Sequence, residues 1–292
     1  MYELKQVGEN TYYINCPTRI GIYKITQNEV CIMDTGSDKD AGKKILKILE
    51  EKQWKLKMII NTHSHADHIG GNRILQERCQ CPIYTYGIEE AFIKYPILEP
   101  AFLYGGYPGS ELRNKFLLAQ DSHAEILTPE ILPEGLEMQL LNGHSFSMVG
   151  IKTADDVWFL GDSVVGQETI EKYAVFFLYD VKAYLASLDI IEKLEGKLFI
   201  PSHAEPMQTI EKCIEQNRNK IFEIAEYICQ ICKEAINFEN ILKAIFDYYQ
   251  LQMNITQYAL VGSTIKSYLT YLQNEGKLVV QIQENQLLWK KV

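Results

Sequence analysis

The chain has 292 residues, enough for one large domain or a domain with an appendage, and 47% apolar with 23% charged residues is an ordinary balance for a chain that buries a sizeable core. A formal charge of −9 argues against a nucleic-acid partner, which draws on clustered Lys and Arg. No stretch approaches the roughly 18 apolar residues of a membrane span, residues 1–6 lack the basic-then-apolar order of a signal peptide, and seven cysteines, an odd number, suit free thiols in a reducing compartment, so a cytoplasmic location is expected.

In chain order, Thr11-Tyr12-Tyr13-Ile14, Ile20-Gly21-Ile22-Tyr23-Lys24-Ile25 and Val30-Cys31-Ile32-Met33 alternate with turn residues and predict antiparallel strands. Asp34-Thr35-Gly36 ends the third, and Asp38 is placed to cap a helix with Ala41, Ile45, Ile48 and Leu49 on one face. Leu56-Lys57-Met58-Ile59-Ile60 reads as a short buried strand, which delivers Asn61-Thr62-His63-Ser64-His65-Ala66-Asp67-His68-Ile69-Gly70-Gly71 onto a loop. A helix over residues 72–78, a strand over 82–86 and a helix over 88–93 follow, so strands and helices alternate as in a layered α/β fold. Residues 94–125 break this pattern. Pro96, Pro100, Gly105-Gly106 and Pro108-Gly109 interleave with Tyr95, Phe102, Tyr104 and Tyr107, the composition of either a pocket wall or lid, or of a packed surface loop.

Three more strands are predicted over 138–141, 148–152 and 157–160; the first leads into Asn142-Gly143-His144-Ser145 and the third into Gly161-Asp162-Ser163. Asp180 is placed to cap a helix carrying Val181, Tyr184, Leu185, Leu188, Ile191 and Leu194, stopped by Gly196. Leu198-Phe199-Ile200 then delivers Pro201-Ser202-His203. The remainder reads as helices over 209–235, 241–249 and 255–274, with a closing hairpin around Glu284-Asn285, an order that resembles a winged-helix appendage. Cys79-Gln80-Cys81 and Cys229-Gln230-Ile231-Cys232 have no histidine neighbour and no second pair at zinc-ribbon spacing, so they are read as small buried hydrophobes.

Three imidazoles and a carboxylate within six residues are a poor packing motif. Burying so many polar groups costs several kcal/mol unless each finds a partner, and a cation is a partner that suits all of them. Five of the six histidines, His63, His65, His68, His144 and His203, follow strands, as do Asp67 and Asp162. Side chains converging from separate strand ends are how α/β sheets build active sites. His123 stands apart and is read as a surface or loop residue. Seven candidate ligands exceed the four of one tetrahedral zinc and suit two ions about 3.5–4 Å apart.

Taken in order, Ile32-Met33-Asp34-Thr35-Gly36, His63-Ser64-His65-Ala66-Asp67-His68, Gly143-His144-Ser145, Gly161-Asp162 and Pro201-Ser202-His203 resemble the metallo-β-lactamase superfamily over residues 1–207. The resemblance implies an αββα sandwich of the α/β class, a catalytic domain over 1–207 and a mostly helical, winged-helix-like domain over 208–292. It implies that His63, His65 and His144 hold one divalent ion, that Asp67, His68 and His203 hold the other, and that Asp162 bridges. Asp67 would also orient or accept the proton of a metal-bound hydroxide, and Asp34 would support the metal loop from behind the ligands. The donor set favours zinc, although iron and manganese suit the same groups. Relatives with a redox di-iron site carry Glu where this chain has His65, which points to hydrolysis.

A small acyl substrate, thioester before ester or lactone, is expected from the likeness to glyoxalase II-like thioesterases. The basic C-terminal cluster of glutathione-binding members is missing here. The alternatives are a phosphodiesterase and a non-catalytic metal-bound sensor; the intact set of seven ligands weighs against the sensor. From Glu211 onward the tail has nine basic and nine acidic residues, and its candidate recognition helix has Lys266 as its only basic one, which argues against DNA binding. The tail is expected to be a packing or homodimer-forming element that helps wall the active site, with Tyr258, Leu260, Ile265, Tyr268 and Leu269 as its apolar surface.

Overall fold

The computed structural model describes residues 2–292. Its first sheet has seven strands in sequence order: β1 (Glu3–Gln6), β2 (Thr11–Asn15), β3 (Ile20–Lys24), β4 (Glu29–Met33), β5 (Lys55–Ile60), β6 (Ile83–Thr85) and β7 (Ala124–Ile126). Strands β1 to β4 are antiparallel, and β4 to β7 run parallel because helices cross over between them. These helices are α1 (Lys39–Lys52), α2 (Ala66–Ile69), α3 (Asn72–Cys79), α4 (Glu89–Lys94) and α5 (Leu98–Tyr104). Asp38 caps α1, accepting from the amides of Asp40 and Ala41 at 3.1 and 3.0 Å. The Ala41, Ile45, Ile48 and Leu49 face is buried as its spacing predicts, with Ile45, Ile48 and Leu49 packed against Ile32 and Ile59 on the outer face of the sheet.

The second sheet contains β8 (Leu136–Leu140), β9 (Val149–Thr153), β10 (Val157–Gly161) and β11 (Leu198–Pro201), in the order β11-β10-β9-β8. Between the sheets lies an apolar layer that includes Tyr13, Met33 and Ile60 from one and Val149, Ile151, Phe159 and Ile200 from the other. The outer face of the second sheet, with Trp158, Leu160 and Phe199, packs beneath α6 (Gln167–Tyr173), α7 (Val181–Ile191), α8 (Glu211–Ile231), α9 (Phe238–Tyr248) and α10 (Ile255–Asn274). Helices outside two packed sheets make the expected αββα sandwich.

Residues 94–125 are not the loop that their prolines and glycines predict. They hold α5, a 3-10 turn over Ser110–Leu112 and strand β7. Pro100 lies in the first turn of α5, where its missing N–H is not needed, and Gly105 ends the helix in a left-handed conformation at φ 79°. Strand β1 and helix α6 also lie outside the predicted elements.

In the tail, β12 (Ile236–Asn237) pairs with β14 (Gln286–Lys291), which pairs with β13 (Leu278–Gln283). With α8, α9 and α10 this is the helix and strand order of a winged helix, mostly helical as predicted. Helix α10 faces inward: Ile265, Tyr268 and Leu269 are buried in the same core as Leu160 and Leu188. Leu260 packs beside Leu103 and Leu112, and the Tyr258 hydroxyl donates to Glu239 at 2.7 Å. Met207 pairs with Phe199, and the apolar core runs past residues 207 and 208 into the last three helices without a break. Among the described residues all seven cysteines are free, six of them buried, and no helix is long and apolar enough to cross a membrane.

Candidate metal centre

The polar segments noted in the sequence meet at one edge of the sandwich. Strand β4 ends in Asp34, β5 in the 61–68 loop, β8 in the turn carrying His144, β10 in Asp162 and β11 in His203. The two sheets are joined there by Val149 N–H donating to Thr62 O at 3.0 Å, and β11 is tied in by Ser202 N–H donating to Gly161 O at 2.9 Å.

Glycines make the approach possible. A Cβ on Gly70 would lie 2.3 Å from the backbone of Ser37 and one on Gly71 would lie 2.5 Å from Thr35 O, so the paired glycines let the histidine loop pack onto the turn after β4. Gly143 has φ 117°, and a Cβ there would fall 2.2 Å from the Tyr184 amide nitrogen.

Two groups of side chains converge, and a third, His63, His68 and Asp162, spans them. His63, His65 and His144 form one, with His65 Nδ1 at 3.1 Å from His63 Nε2 and 2.9 Å from His144 Nε2. Asp67, His68 and His203 form the other, with His203 Nε2 at 3.2 Å from Asp67 Oδ2. Asp162 lies between them: Oδ2 is 3.3 Å from His144 Nε2 and from His203 Nε2, and Oδ1 is 3.2 Å from His68 Nε2. His123 is exposed and stands apart from both groups, its amide donating to Gln76 Oε1 at 2.9 Å.

Three of the remaining ring nitrogens are anchored. His68 Nδ1 donates to Asp34 Oδ2 at 2.8 Å, His144 Nδ1 donates to Phe177 O at 3.1 Å, and His63 Nδ1 meets Thr62 Oγ1 at 3.0 Å. Asp34 also accepts from the Thr62 amide and hydroxyl, both at 2.8 Å. Asp34 lies behind the loop and is buried. Histidines held in this way present their Nε2 atoms to a common point.

Electrostatics divides the cluster. Burial pushes His65 down to about 4 and His144 down to about 3, and it holds His63 well below the usual range with help from His68 and His65. Burial opposes charge on His68 and His203 as well, but Asp162 and Asp67 outweigh it, raising His203 to about 10 and His68 well above its ordinary value. Against the pull of burial, His68 and His203 hold Asp67 and Asp162 below the carboxylate range. Three neutral imidazoles thus adjoin two that carry charge in place of a cation.

The residues fit a metal pair on a further observation. His68 Nε2 and Asp162 Oδ1 are buried and have no hydrogen-bond partner, although they are near neighbours. Buried polar atoms without partners cost about 1–3 kcal/mol each. Cations accepted by these two atoms and their neighbours would remove that cost.

A pocket adjoins His65, lined by Phe92, Glu99, Phe102, Phe146, Phe177 and Tyr179, with no Lys or Arg in its wall. The 94–125 segment therefore does supply wall, through Glu99, Phe102 and Leu103. Its tyrosines Tyr104 and Tyr107 are exposed instead, and Tyr84 and Tyr86 pack against the layer between the sheets. Burial and the Asp67 charge push the Glu99 carboxyl well above the usual carboxylate range.

Glu89 was not singled out by the sequence. Fully buried, it accepts from the amide and hydroxyl of Ser64 and from the Ser147 amide at 2.8 Å, pinning the histidine loop to the His144 turn. A glutamate in the first turn of a helix is unremarkable in sequence, because the helix dipole favours it there anyway.

The sequence profile described as the metallo-beta-lactamase superfamily matches residues 14–203. A "Beta-lactamase-like protein 2 homolog" of Drosophila melanogaster is 24% identical over 287 residues, covering 94% of this chain and 85% of that protein. A hydroxyacylglutathione hydrolase of Pelagibacter ubique is 38% identical over 60 residues, only 20% of this chain and 23% of that one. Among solved structures, a β-lactamase domain protein from Burkholderia ambifaria superposes with a TM-score of 0.75 at 17% identity, over 99% of this chain and 94% of that chain. With a profile match over most of its length, which takes in all five converging segments, the chain belongs to the metallo-β-lactamase superfamily.

Proposed function

We propose that the protein is a dinuclear metal hydrolase of a small acyl substrate, a thioester before an ester or lactone. Its ligands are His63, His65 and His144 for one ion and Asp67, His68 and His203 for the other, shared through Asp162, with zinc favoured by the donor set. The observation that carries the acyl reading is the wall beside His65, aromatic and apolar with one carboxylate and no Lys or Arg, around a cavity of about 10 Å³ that has to open to admit an acyl group. Such a wall favours an uncharged acyl group, because beyond the metal ions themselves it offers no Lys or Arg to a phosphate. The short stretch shared with a hydroxyacylglutathione hydrolase supports a thioester.

Divalent ions held by these seven residues would lower the pKa of a bound water and polarise the oxygen under attack. The chain's own residues do the rest. Asp67, whose Oδ2 lies 3.2 Å from His203 Nε2, would orient the attacking water and take its proton. Asp34 and Phe177 O fix the tautomers of His68 and His144. Phe146, Phe177 and Tyr179 exclude water from the acyl group.

A phosphodiesterase is the second reading. Exposed Tyr107 and Phe116 lie beneath Arg113 and Lys115, at 5.6 and 5.5 Å, an arrangement of rings and cations that suits single-stranded nucleic acid. Metal analysis with a panel of a thioester, a lactone, a β-lactam and bis(p-nitrophenyl) phosphate separates the two. About two zinc equivalents and thioester or lactone cleavage that His65→Ala abolishes is the expected result. Selective phosphodiester cleavage would replace the acyl reading, and two redox-active irons with no hydrolysis would remove both.

A further inference from the structure

Helix α10 lies in the part of the chain that supplies no candidate ligand, yet it reaches the metal centre through one intervening segment. Residues 177–180 run between it and the His144 turn. On the site side, Phe177 O accepts from His144 Nδ1 at 3.1 Å, and Gly143 O accepts from the amides of Tyr179 and Asp180 at 2.9 and 3.0 Å. On the other side, the Leu178 amide donates to Thr264 Oγ1 at 3.3 Å and the Ser267 hydroxyl donates to Tyr179 O at 2.7 Å. Thr264 is fully buried and passes its own hydroxyl proton to Leu260 O at 3.0 Å; Ser267 also lies 3.3 Å from Ser263 O.

We propose that Thr264 and Ser267 are positioning residues for His144, so that helix α10 is a working part of the metal centre. This rests on the metal-site reading above. A helix face that had only to pack would be served by valine and alanine at these positions, because a buried hydroxyl costs energy unless it is partnered. Here both hydroxyls meet backbone atoms of a segment whose next carbonyl sets the tautomer and ring angle of a ligand histidine. Partners behind metal-binding histidines tune affinity through that angle. The same helix packs Ala259 and Leu260 beside Leu103, which lines the pocket, so one element braces both the His144 side of the centre and the acyl wall.

The test uses the full chain with cobalt(II) as probe, reading metal affinity by chelator competition and the visible spectrum of the cobalt-loaded protein. Thr264→Val combined with Ser267→Ala is expected to weaken one of two metal equivalents about 10- to 100-fold and to alter the cobalt bands. Thr264→Ser, which keeps a hydroxyl, restores both. The comparison variant is Asn254→Ala, which removes the cap that α10 gains from Asn254 Oδ1 on the Gln257 amide at 2.9 Å and so loosens the helix without touching residues 177–180. Unchanged affinity and spectrum in the folded double variant, or an equal loss in Asn254→Ala, would overturn the proposal. Should the double variant not fold, Thr264→Val against Thr264→Ser decides in the same way. Wild-type protein that takes up no cobalt would instead overturn the metal-site reading itself.

Discussion

Asp34 is a single residue on which several others depend. It sits at φ 63° in the left-handed region, which aspartate tolerates better than most side chains, and from there its two oxygens collect the Thr62 amide, the Thr62 hydroxyl and His68 Nδ1. Asp34→Ala is expected to weaken metal binding about 10- to 100-fold. It should also lower stability by about 1–3 kcal/mol for each buried group left without a partner. Chelator competition and urea unfolding measure the two effects separately. A variant that lost stability but bound metal as tightly as the wild type would show Asp34 to be only a turn residue.

The histidine shifts predict how the metal-free protein responds to pH. His203 is raised to about 10, so its pairing with Asp162 and Asp67 contributes fully below the unfolded value of about 6.5 and is lost as pH rises towards 10. His65 and His144 are depressed to about 4 and about 3, so their contribution is intact above about 6.5 and is lost as pH falls through those values. Metal-free protein should therefore have its highest Tm near pH 6.5, declining on both sides. Because an incoming cation must displace the protons of His68 and His203, metal affinity should rise with pH over the range where metal-free stability falls. A flat Tm profile between pH 5 and 9 would count against this charge arrangement.

At the scale of elements, helices far along the chain hold the loops that carry the candidate ligands. Asn217 of α8 is fully buried; its Oδ1 accepts from the Val165 amide at 3.1 Å and the Tyr184 hydroxyl at 3.0 Å, while Nδ2 donates to Val165 O at 2.8 Å. Val165 lies three residues beyond Asp162. Asn217→Ala should cost about 2–4 kcal/mol by orphaning these groups. The loss should be larger in metal-loaded than in metal-free protein if the Asp162 turn is displaced, which paired denaturation curves would reveal. Helix α5 shows where a reading of elements from residue types falls short. Pro96, just ahead of it, and Pro100 within it look like breakers, and only the position of Pro100 in the first turn makes the helix tolerable.

For the whole molecule, the issue is whether the αββα layers can stand alone. The outer face of the second sheet is covered by one apolar cluster in which Trp158, Leu160 and Phe199 join Ile221, Ile245 and Leu269 from the last three helices. A chain ending at residue 207 would expose that face, and burial contributes roughly 25 cal/mol per Å² of apolar surface. It is expected to be insoluble or to lack a cooperative thermal transition. A soluble 1–207 fragment with a sharp transition and metal binding would establish the division as one between independent domains.

Much of this protein was determined by residue order alone. Alternating apolar runs and helical periodicities specify the layers because strand and helix bury their faces at different spacings. Helix caps such as Asp38 are local, and five short segments in family order specify the ligand types. What the tertiary structure decided is whatever depends on residues distant in sequence. Glu89 acts as a clamp only because Ser64 and Ser147 reach it from two different turns. Phe146, Phe177 and Tyr179 wall the pocket although no motif marks them, because aromatic residues look alike in sequence whether they line a site or fill a core. Thr264 and Ser267 are ordinary helix residues until the fold lays residues 177–180 across them. Period and motif are carried by neighbours along the chain, whereas the partner of a buried polar group is chosen by packing.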